Sequence, residues 1–330
     1  MIISRTPHRI SFFGGGTDYP LYYSNQEGRV LGTAIDKYCY LSIRKLPPYF
    51  DFKHRIVYSK MENITKIDDI QHPSVREILK YLKTDFGVSI HHDGDIPARS
   101  GMGSSSAFTV GLLNSLYALL GKRLSKERLT KEAIYIEQKL IKEDVGSQDQ
   151  TFAAYGGFNV IRFLTNGTIV VEPIIMNVDR FATFKGHLML FFTGFSRMAS
   201  EIAKDKIKNI PINGDKLSSM KQLVDQAYEI LANGERNLND FGELLNETWN
   251  LKKTLSSKIT RPEIDEMYEI ALRNGAIGGK LCGAGNGGFM IFYVAPKNLL
   301  KVKEALHNYL HVPFNFDFDG SKVIIYQPND

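Results

Sequence analysis

The chain has 330 residues, 43% hydrophobic and 23% charged, ordinary proportions for a globular protein with material for a sizeable core. At roughly 100–200 residues per domain, this length suggests two domains. The net charge of +5 is spread along the chain, with no block of like charges and no basic run interleaved with aromatics; this argues against a nucleic-acid partner and suits an anionic substrate.

The two cysteines, Cys39 and Cys282, are far apart and form no CxxC pair, so neither a disulfide framework nor a zinc site is expected. The opening residues, MIISRTPHRISFF, lack the apolar stretch and small-residue cleavage site of a leader. The longest apolar runs, LMLFF and FMIFYVA, fall far short of the ~20 residues of a membrane span. A cytoplasmic protein with no membrane partner is expected.

In chain order, GRVLGTAIDKYCYLSIRKL (28–46) alternates and is rich in Val, Ile and Tyr, as strands are, and 54–59 suggests another. Residues 73–83 carry apolar positions at helical spacing behind Pro73. A short strand, VSIHHDGDIP, leads into IPARSGMGSSSAF. A helix is predicted from about 104 to 120, stopped by Gly121. Ser125 predicts the N-cap of a helix over 126–142, with Leu129, Ala133, Ile136 and Leu140 as its apolar stripe. Ser147 predicts the cap of a shorter helix, QDQTFAAY, ended by Gly156 and Gly157. FNVIRF and TIVVEPI read as strands of a hairpin turned by Asn166-Gly167.

After about residue 180 the pattern restarts. HLMLFFTG reads as a strand and SRMASEIAKDKIK as a helix, with further helices over 215–233 and 239–255. IDEMYEIALRNGA, a Gly-rich loop and FMIFYVA read as helix, loop and strand; NLLKVKEALHNYL as a helix; SKVIIYQ as a last strand. Strands and helices mix without steady βαβ alternation, so an α+β fold is expected, with domains over 1–180 and 181–330.

Three stretches are dense in glycine: FFGGGTDYP (12–20), SGMGSSSAF (100–108) and CGAGNGGF (282–289). The third contains a formal G-x-G-x-x-G, but a dinucleotide site needs a strand before it and a helix after it, and here the pattern gives a helix before and a strand after. No Walker P-loop exists in the chain. The middle stretch has the stronger physics. The first turn of a helix leaves N–H groups without partners, and the macrodipole places positive charge there. Glycines let phosphate oxygens approach the backbone, and serine hydroxyls can ligate Mg²⁺. An ordinary N-cap accounts for one serine, whereas three stand in a row behind Gly-Met-Gly.

Two carboxylates add to this. Glu137 falls on or beside the stripe of Ala133, Ile136 and Leu140; it reads either as an edge glutamate paired with a lysine or as a metal ligand. Asp149 stands in the first turn of its helix, either as a simple N-terminal acid or as a general base held ionised there.

These motifs, in this order, resemble the GHMP small-molecule kinases, which include galactokinase, homoserine kinase, mevalonate kinase and phosphomevalonate kinase. TPHRISFFGGGTDY is similar to the family's first motif, PARSGMGSSSA to its phosphate loop P-x-x-x-G-L-G-S-S-A, and KLCGAGNGGF to its third, Gly-rich motif. FFGGGTDYP, AIDKY and VGSQDQ are most similar to the D-glycero-D-manno-heptose 7-phosphate kinases. The resemblance implies an N-terminal domain like the second domain of ribosomal protein S5 and a ferredoxin-like C-terminal domain. It also implies transfer of phosphate from ATP to the anomeric hydroxyl of that phosphosugar, with another sugar 1-kinase (fucose or galactose type) or a non-catalytic sugar and ATP sensor as alternatives.

Residue by residue, the resemblance makes Asp149 the catalytic aspartate, with Arg9 the basic residue close to it. Glu137 and Ser104 become the Mg²⁺ ligands, with Ser105 the near alternative for Ser104. Ser100, Gly101, Gly103, Ser104, Ser105 and Ser106 would hold ATP. Gly14, Gly15, Gly16 and Asp18 of the first motif, and Gly283, Gly285 and Gly287 of the third, would face the substrate. Gly15 stands where galactokinases carry a glutamate toward the far end of the sugar, and its lack of charge would suit a phosphate there. The substrate phosphate also needs cations: Arg197, after a strand and opening a helix, is one candidate, and Lys37 and Lys280 are others. The oligomeric state is open, with a homodimer among the options.

Overall fold

The computed structural model of the chain describes residues 1–195 and 213–327. Its strands are β1 (Ile2–Phe13), β2 (Gly28–Lys45), β3 (His54–Val57), β4 (Met61–Ile64), β5 (Val88–Gly94), β6 (Phe158–Phe163), β7 (Ile169–Pro173), β8 (Leu188–Phe192), β9 (Ala276–Leu281), β10 (Phe289–Val294), β11 (Leu310–His311) and β12 (Lys322–Tyr326). Its main helices are α1 (Pro20–Tyr23), α2 (Pro73–Tyr81), α3 (Ser104–Leu119), α4 (Lys126–Tyr135), α5 (Gln148–Tyr155), α6 (Val178–Gly186), α7 (Gly214–Ala232), α8 (Asn239–Lys253), α9 (Pro262–Arg273) and α10 (Leu299–Ala305). None is long and apolar enough to cross a membrane among the described residues.

Two sheets organise these elements. The larger runs β12-β1-β2-β5-β3-β4, with β6 and β7 continuing from the first half of β2. β3 runs parallel to β5 and every other pairing in this sheet is antiparallel. The smaller sheet is antiparallel throughout, in the order β11-β8-β10-β9. Its strands count 4-1-3-2 in chain order, the ferredoxin-like arrangement. The α+β expectation holds in both halves.

β1 positions the site. Pro7 has no N–H for the ladder, and the register against β2 slips between Pro7 and His8, as proline inside a strand requires. Beyond that slip, Arg9 and Ser11 lie two apart and share one face. α3 covers β1 and β2 closely: a Cβ on Gly111 would come 2.8 Å from Thr6 Oγ1, so the glycine sets the approach of helix to sheet. The predicted all-apolar character of this helix follows from burial on nearly every side.

Aromatic packing joins the two halves. Phe13 of β1 meets Phe241 of α8 edge to face with centroids 5.0 Å apart, and Phe241 meets Phe184 of α6 at 4.8 Å. The chain then crosses back: Phe316 bridges Ile35 of β2, and β12 completes the outer edge of the first sheet against β1.

Several local expectations change. The strand β9, AIGGKL, stands where the pattern gave only helix and loop. Gly278 and Gly279 lower its strand propensity, but the packing demands them: a Cβ on Gly278 would lie 2.0 Å from the Gly242 carbonyl oxygen, and one on Gly279 2.5 Å from the Phe292 ring. The dinucleotide reading of the third loop still fails, since the strand β10 follows it. Ser147 precedes α5 without capping it; its hydroxyl bonds Tyr23 Oη at 3.1 Å and accepts from Gln138 at 3.1 Å. Ser125 does cap α4, accepting from Arg128 N at 3.2 Å. The helix predicted over 126–142 changes type, because residues Ile136–Ile141 form a π-helix. The helix predicted over 298–310 is shorter, Leu299–Ala305, and the helix predicted for SRMASEIAKDKIK lies outside the described residues.

Candidate active site

A cleft opens where β1, the phosphate-loop candidate and the third Gly-rich loop meet; Arg9, Asp18, Asp149, Gly103, Lys280 and Gly283 are among its walls. Arg9 is buried at 4% exposure on the β1 face. Its Nε and Nη2 each lie 2.8 Å from Asp149 Oδ1, and its Nη1 donates to the Gly101 carbonyl at 2.8 Å. One guanidinium thus ties the helix that carries Asp149 to the loop that precedes α3.

That loop enters α3 through Gly103, at φ +76°, a left-handed conformation open to glycine at little cost. A Cβ there would fall 3.5 Å from Asp149 Oδ2 and 3.4 Å from Arg9 Cγ. The N-terminus of α3, with its partnerless N–H groups, therefore opens directly beside the Arg9–Asp149 pair. Arg9 N donates to Met102 O at 3.1 Å, and the buried Met102 side chain anchors the loop from below.

The serines divide. Ser105 is exposed. Ser106 is buried and donates to Glu137 Oε2 at 2.8 Å, so it is Ser106 that meets the glutamate. Ser104 Oγ is buried without a hydrogen-bond partner. Ser100 is buried too, beneath the third loop. Glu137, fully buried, lies on the inward side of its π-helix, a distortion common at functional positions. Gln150 Nε2 also donates to its Oε2, while Oε1 has no partner. Burial, with the Glu143 carboxylate adding, pushes the Glu137 pKa up to about 7. A buried carboxylate with an unpartnered oxygen, near a helix whose first serine also has an unpartnered oxygen, fits a divalent cation. No group of three His, Cys, Asp or Glu able to hold a metal exists among the described residues, and Mg²⁺ held largely through phosphate oxygens needs only one or two carboxylates.

Asp18 organises the far side. Its Oδ1 accepts from Gly16 N at 2.8 Å, its Oδ2 from Gln148 Nε2 at 3.0 Å, and its carbonyl from Ser147 N at 2.9 Å. It fastens the first motif to the loop leading into α5. Within the first motif, Gly15 borders the cleft, and a Cβ on it would have only Ser11 Oγ at 3.7 Å and Gln148 Nε2 at 3.8 Å nearby. Gly14 is different: a Cβ there would lie 2.0 Å from Arg29 O, so this glycine lets β1 approach β2 and packs away from the cleft.

The third loop packs backbone to backbone on the phosphate-loop candidate, since a Cβ on Gly288 would lie 2.0 Å from Ser100 O and one on Gly283 2.5 Å from Gly101 Cα. Gly283 borders the cleft. Gly285 instead abuts the Ile259 backbone and Gly287 abuts Phe195. Two buried lysines hold this junction. Lys252 donates to Leu281 O at 2.8 Å and Gly283 O at 2.6 Å; Lys280 donates to Ser11 O across the two halves. Both border the cleft. Lys37 does not, lying against Asp36 at 3.3 Å. Arg197 lies outside the described residues.

Sequence reasoning missed Ser11, Gln148 and Lys252. The alternation of β1 from Arg9 could have found Ser11, and Gln148 adjoins Asp149. Lys252 gave no signal, since a lysine in the last turn of a helix is commonplace.

The same residues now meet the comparisons with known proteins. The family described as "GHMP kinases N terminal domain" matches residues 73–157, and "GHMP kinases C terminal" matches 224–311. The D-glycero-alpha-D-manno-heptose 7-phosphate kinase of Campylobacter jejuni subsp. jejuni serotype O:2 is 30% identical over 341 residues, covering 97% of this chain and 98% of that enzyme. The chain belongs to the GHMP kinases. As a member of that family it is an ATP-dependent kinase. The L-fucokinase/L-fucose-1-P guanylyltransferase of Bacteroides fragilis is 25% identical over 93% of this GHMP kinase, which covers 36% of that longer enzyme. The crystal structure of a D-glycero-D-manno-heptose 1-phosphate kinase from Bacteroides thetaiotaomicron is similar to this GHMP kinase with a TM-score of 0.81 at 24% identity, covering 99% of this chain and 100% of that one. At that identity the likeness speaks for the fold, and it agrees with the two-domain arrangement described above.

Proposed function

We propose that this GHMP kinase transfers the γ-phosphoryl group of ATP to the anomeric C1 hydroxyl of D-glycero-D-manno-heptose 7-phosphate, giving the 1,7-bisphosphate, a step toward nucleotide-activated heptose. The observation that carries the reading is the Arg9–Asp149 pair set against the N-terminus of α3, in a cleft whose other wall holds two buried lysines. The substrate assignment is also supported by the 30% identical heptose 7-phosphate kinase.

Asp149 would accept the proton of the C1 hydroxyl as that oxygen bonds to the γ-phosphorus and the β–γ bridging oxygen leaves with ADP. Arg9 would hold the Asp149 carboxylate in position and place positive charge beside the transferred group. The first N–H groups of α3 and the backbone of Gly101 and Gly103 would seat the ATP phosphates, with the Ser105 hydroxyl beside them. Glu137 and Ser104 would hold Mg²⁺, which when bound neutralises charge on the β- and γ-oxygens. Gly15 leaves room for the substrate, and Asp18, through Gln148 and Gly16, would shape the sugar side. Lys280 and Lys252 would supply the positive charge that faces the 7-phosphate, with Arg197 as a further contact.

The test is ADP release with heptose 7-phosphate, unphosphorylated heptose, L-fucose and galactose, and ³¹P NMR of the product. The reading expects heptose 7-phosphate to have the highest kcat/KM and the new phosphoester to sit on C1. Alignment of the fucokinase over 93% of this chain favours the second reading, a fucose-type 1-kinase. A preference for L-fucose would establish it, and no turnover of any sugar would point to a sensor.

A further inference from the structure

At the opposite end of α3 from the catalytic cleft lies a second cavity, of about 410 Å³, within the range of small-molecule sites. The sixteen residues of α3 separate the two by ~24 Å at 1.5 Å per residue. Three chain segments bring cations to it: Lys122 and Arg123 from the turn after α3, Lys126 from the start of α4, and Lys322 from β12. Among the described residues no carboxylate lines it.

The cations are not equally engaged. Lys126 donates to the carbonyls of Tyr155 and Asp319, each at 2.8 Å, and Lys322 pairs with the Asp319 carboxylate. Lys122 and Arg123 are exposed and have no ion-pair partner among the described residues. Like charges drawn from separate segments into one concavity repel one another and focus a positive potential there, and an anion relieves that repulsion. A guanidinium presents a planar fork that matches phosphate oxygens. Beyond the cations, Asn114 and Ser321 line the wall and bond each other at 3.1 Å, while Ala118, Leu124, Leu129 and Val323 supply apolar surface and the Tyr326 ring stands 55% exposed beside them. An apolar floor with an accessible aromatic face suits a planar ring more than a bare inorganic anion.

We propose that this cavity is a second ligand site, taking a nucleoside diphosphate with its phosphates on Lys122 and Arg123 and its base against Tyr326. The site lies apart from the catalytic machinery, so its occupant need not be a reactant.

The test is calorimetric titration of GDP, and separately of inorganic pyrophosphate, into the protein saturated with Mg²⁺ and AMPPNP so that the catalytic cleft is filled. One further GDP should bind per chain. Lys122→Glu/Arg123→Glu should weaken GDP at least tenfold while leaving kinase activity without GDP unchanged. Tyr326→Ala should weaken GDP but not pyrophosphate. Should the double charge reversal lower Tm, Arg123→Ala at unchanged Tm carries the same comparison. No binding to the AMPPNP-filled protein, equal affinity in wild type and charge variant, or insensitivity of GDP to Tyr326→Ala would each overturn the assignment.

Discussion

Arg9 reaches Asp149 with two of its nitrogens, both 2.8 Å from the same oxygen, Oδ1, and so leaves Oδ2 on the side of Gly103 and the helix N-terminus. That division gives one carboxylate two tasks: one oxygen is held in place and the other faces the candidate reaction space.

Asp149→Asn keeps the size of the side chain and an oxygen for Arg9 but removes the proton acceptor. We expect kcat to fall by ~10²–10⁴ with the ATP dissociation constant within about threefold of wild type. Steady-state kinetics with a nucleotide-binding titration check this. A kcat within threefold of wild type would remove Asp149 from the base role.

Gly15→Glu tests the match of the cleft to a phosphosugar. The open surroundings of the Gly15 Cβ position mean the new side chain can be housed, so its effect is electrostatic. The KM for heptose 7-phosphate should rise about tenfold or more, with little change for unphosphorylated heptose. An unchanged KM for the phosphorylated sugar would remove Gly15 as a specificity element. Gly14→Ala, one residue away, should instead destabilise the fold, because its Cβ meets the Arg29 carbonyl at 2.0 Å.

Glu137→Gln preserves an acceptor for Ser106 and Gln150 and removes the charge. The fold should be retained, with Tm unchanged or raised, since an uncompensated buried acid is lost. The Mg²⁺ concentration for half-maximal activity should rise at least tenfold, and Ser104→Ala should move it in the same direction. A Mg²⁺ titration unchanged in both variants would take the metal seat elsewhere.

Acid should destabilise the protein well above the carboxylate range. Burial lowers the pKa of His8 to about 3, and those of His54 and His72 to about 4. Unfolded histidines bind protons near pH 6.5, so below that value unfolding takes up protons. Their contribution is complete above pH 6.5 and declines as pH falls toward 4. Glu137 and Glu143 oppose this, since burial raises both and the folded state then binds the extra protons (for Glu137 between about 7 and 4.5), but burial lowers His92 and His311 as well, so two such acids are set against five histidines. Urea unfolding at pH 7.5, 6.0 and 5.0 should give steadily falling midpoints, and a flat profile would contradict the assignment.

Much of the site was legible in the sequence because its chemistry depends on local motifs. Gly103 and Asp149 sit in stretches that allow phosphate and proton-transfer chemistry, Arg9 and Asp18 entered through the likeness of their motif to the GHMP kinases, and the structure draws all four to one cleft. The inward placement of Glu137 followed from helical periodicity, although the π-helix that carries it did not, because nothing in IEQKLI distinguishes five-residue from four-residue bonding. What stayed illegible depends on distant partners. Lys252 matters through carbonyls some thirty positions away, at Leu281 and Gly283. β9 is a strand through its ladder with β10, and Gly242 and Phe292 crowd the positions that require its glycines. Likewise Ser147 is drawn from its cap by Tyr23 and Gln138.

The pairing of β1 with β12 has a consequence for how the protein comes to be. On the ribosome Ile2 emerges more than three hundred residues before its edge partner Tyr326, so one margin of β1 leaves the exit tunnel with hydrogen-bonding groups whose strand partner is not yet made. The strand bearing Arg9 must therefore wait as an open sheet margin until β12 has been made, and final assembly should be slow, limited by a contact between strands more than three hundred residues apart.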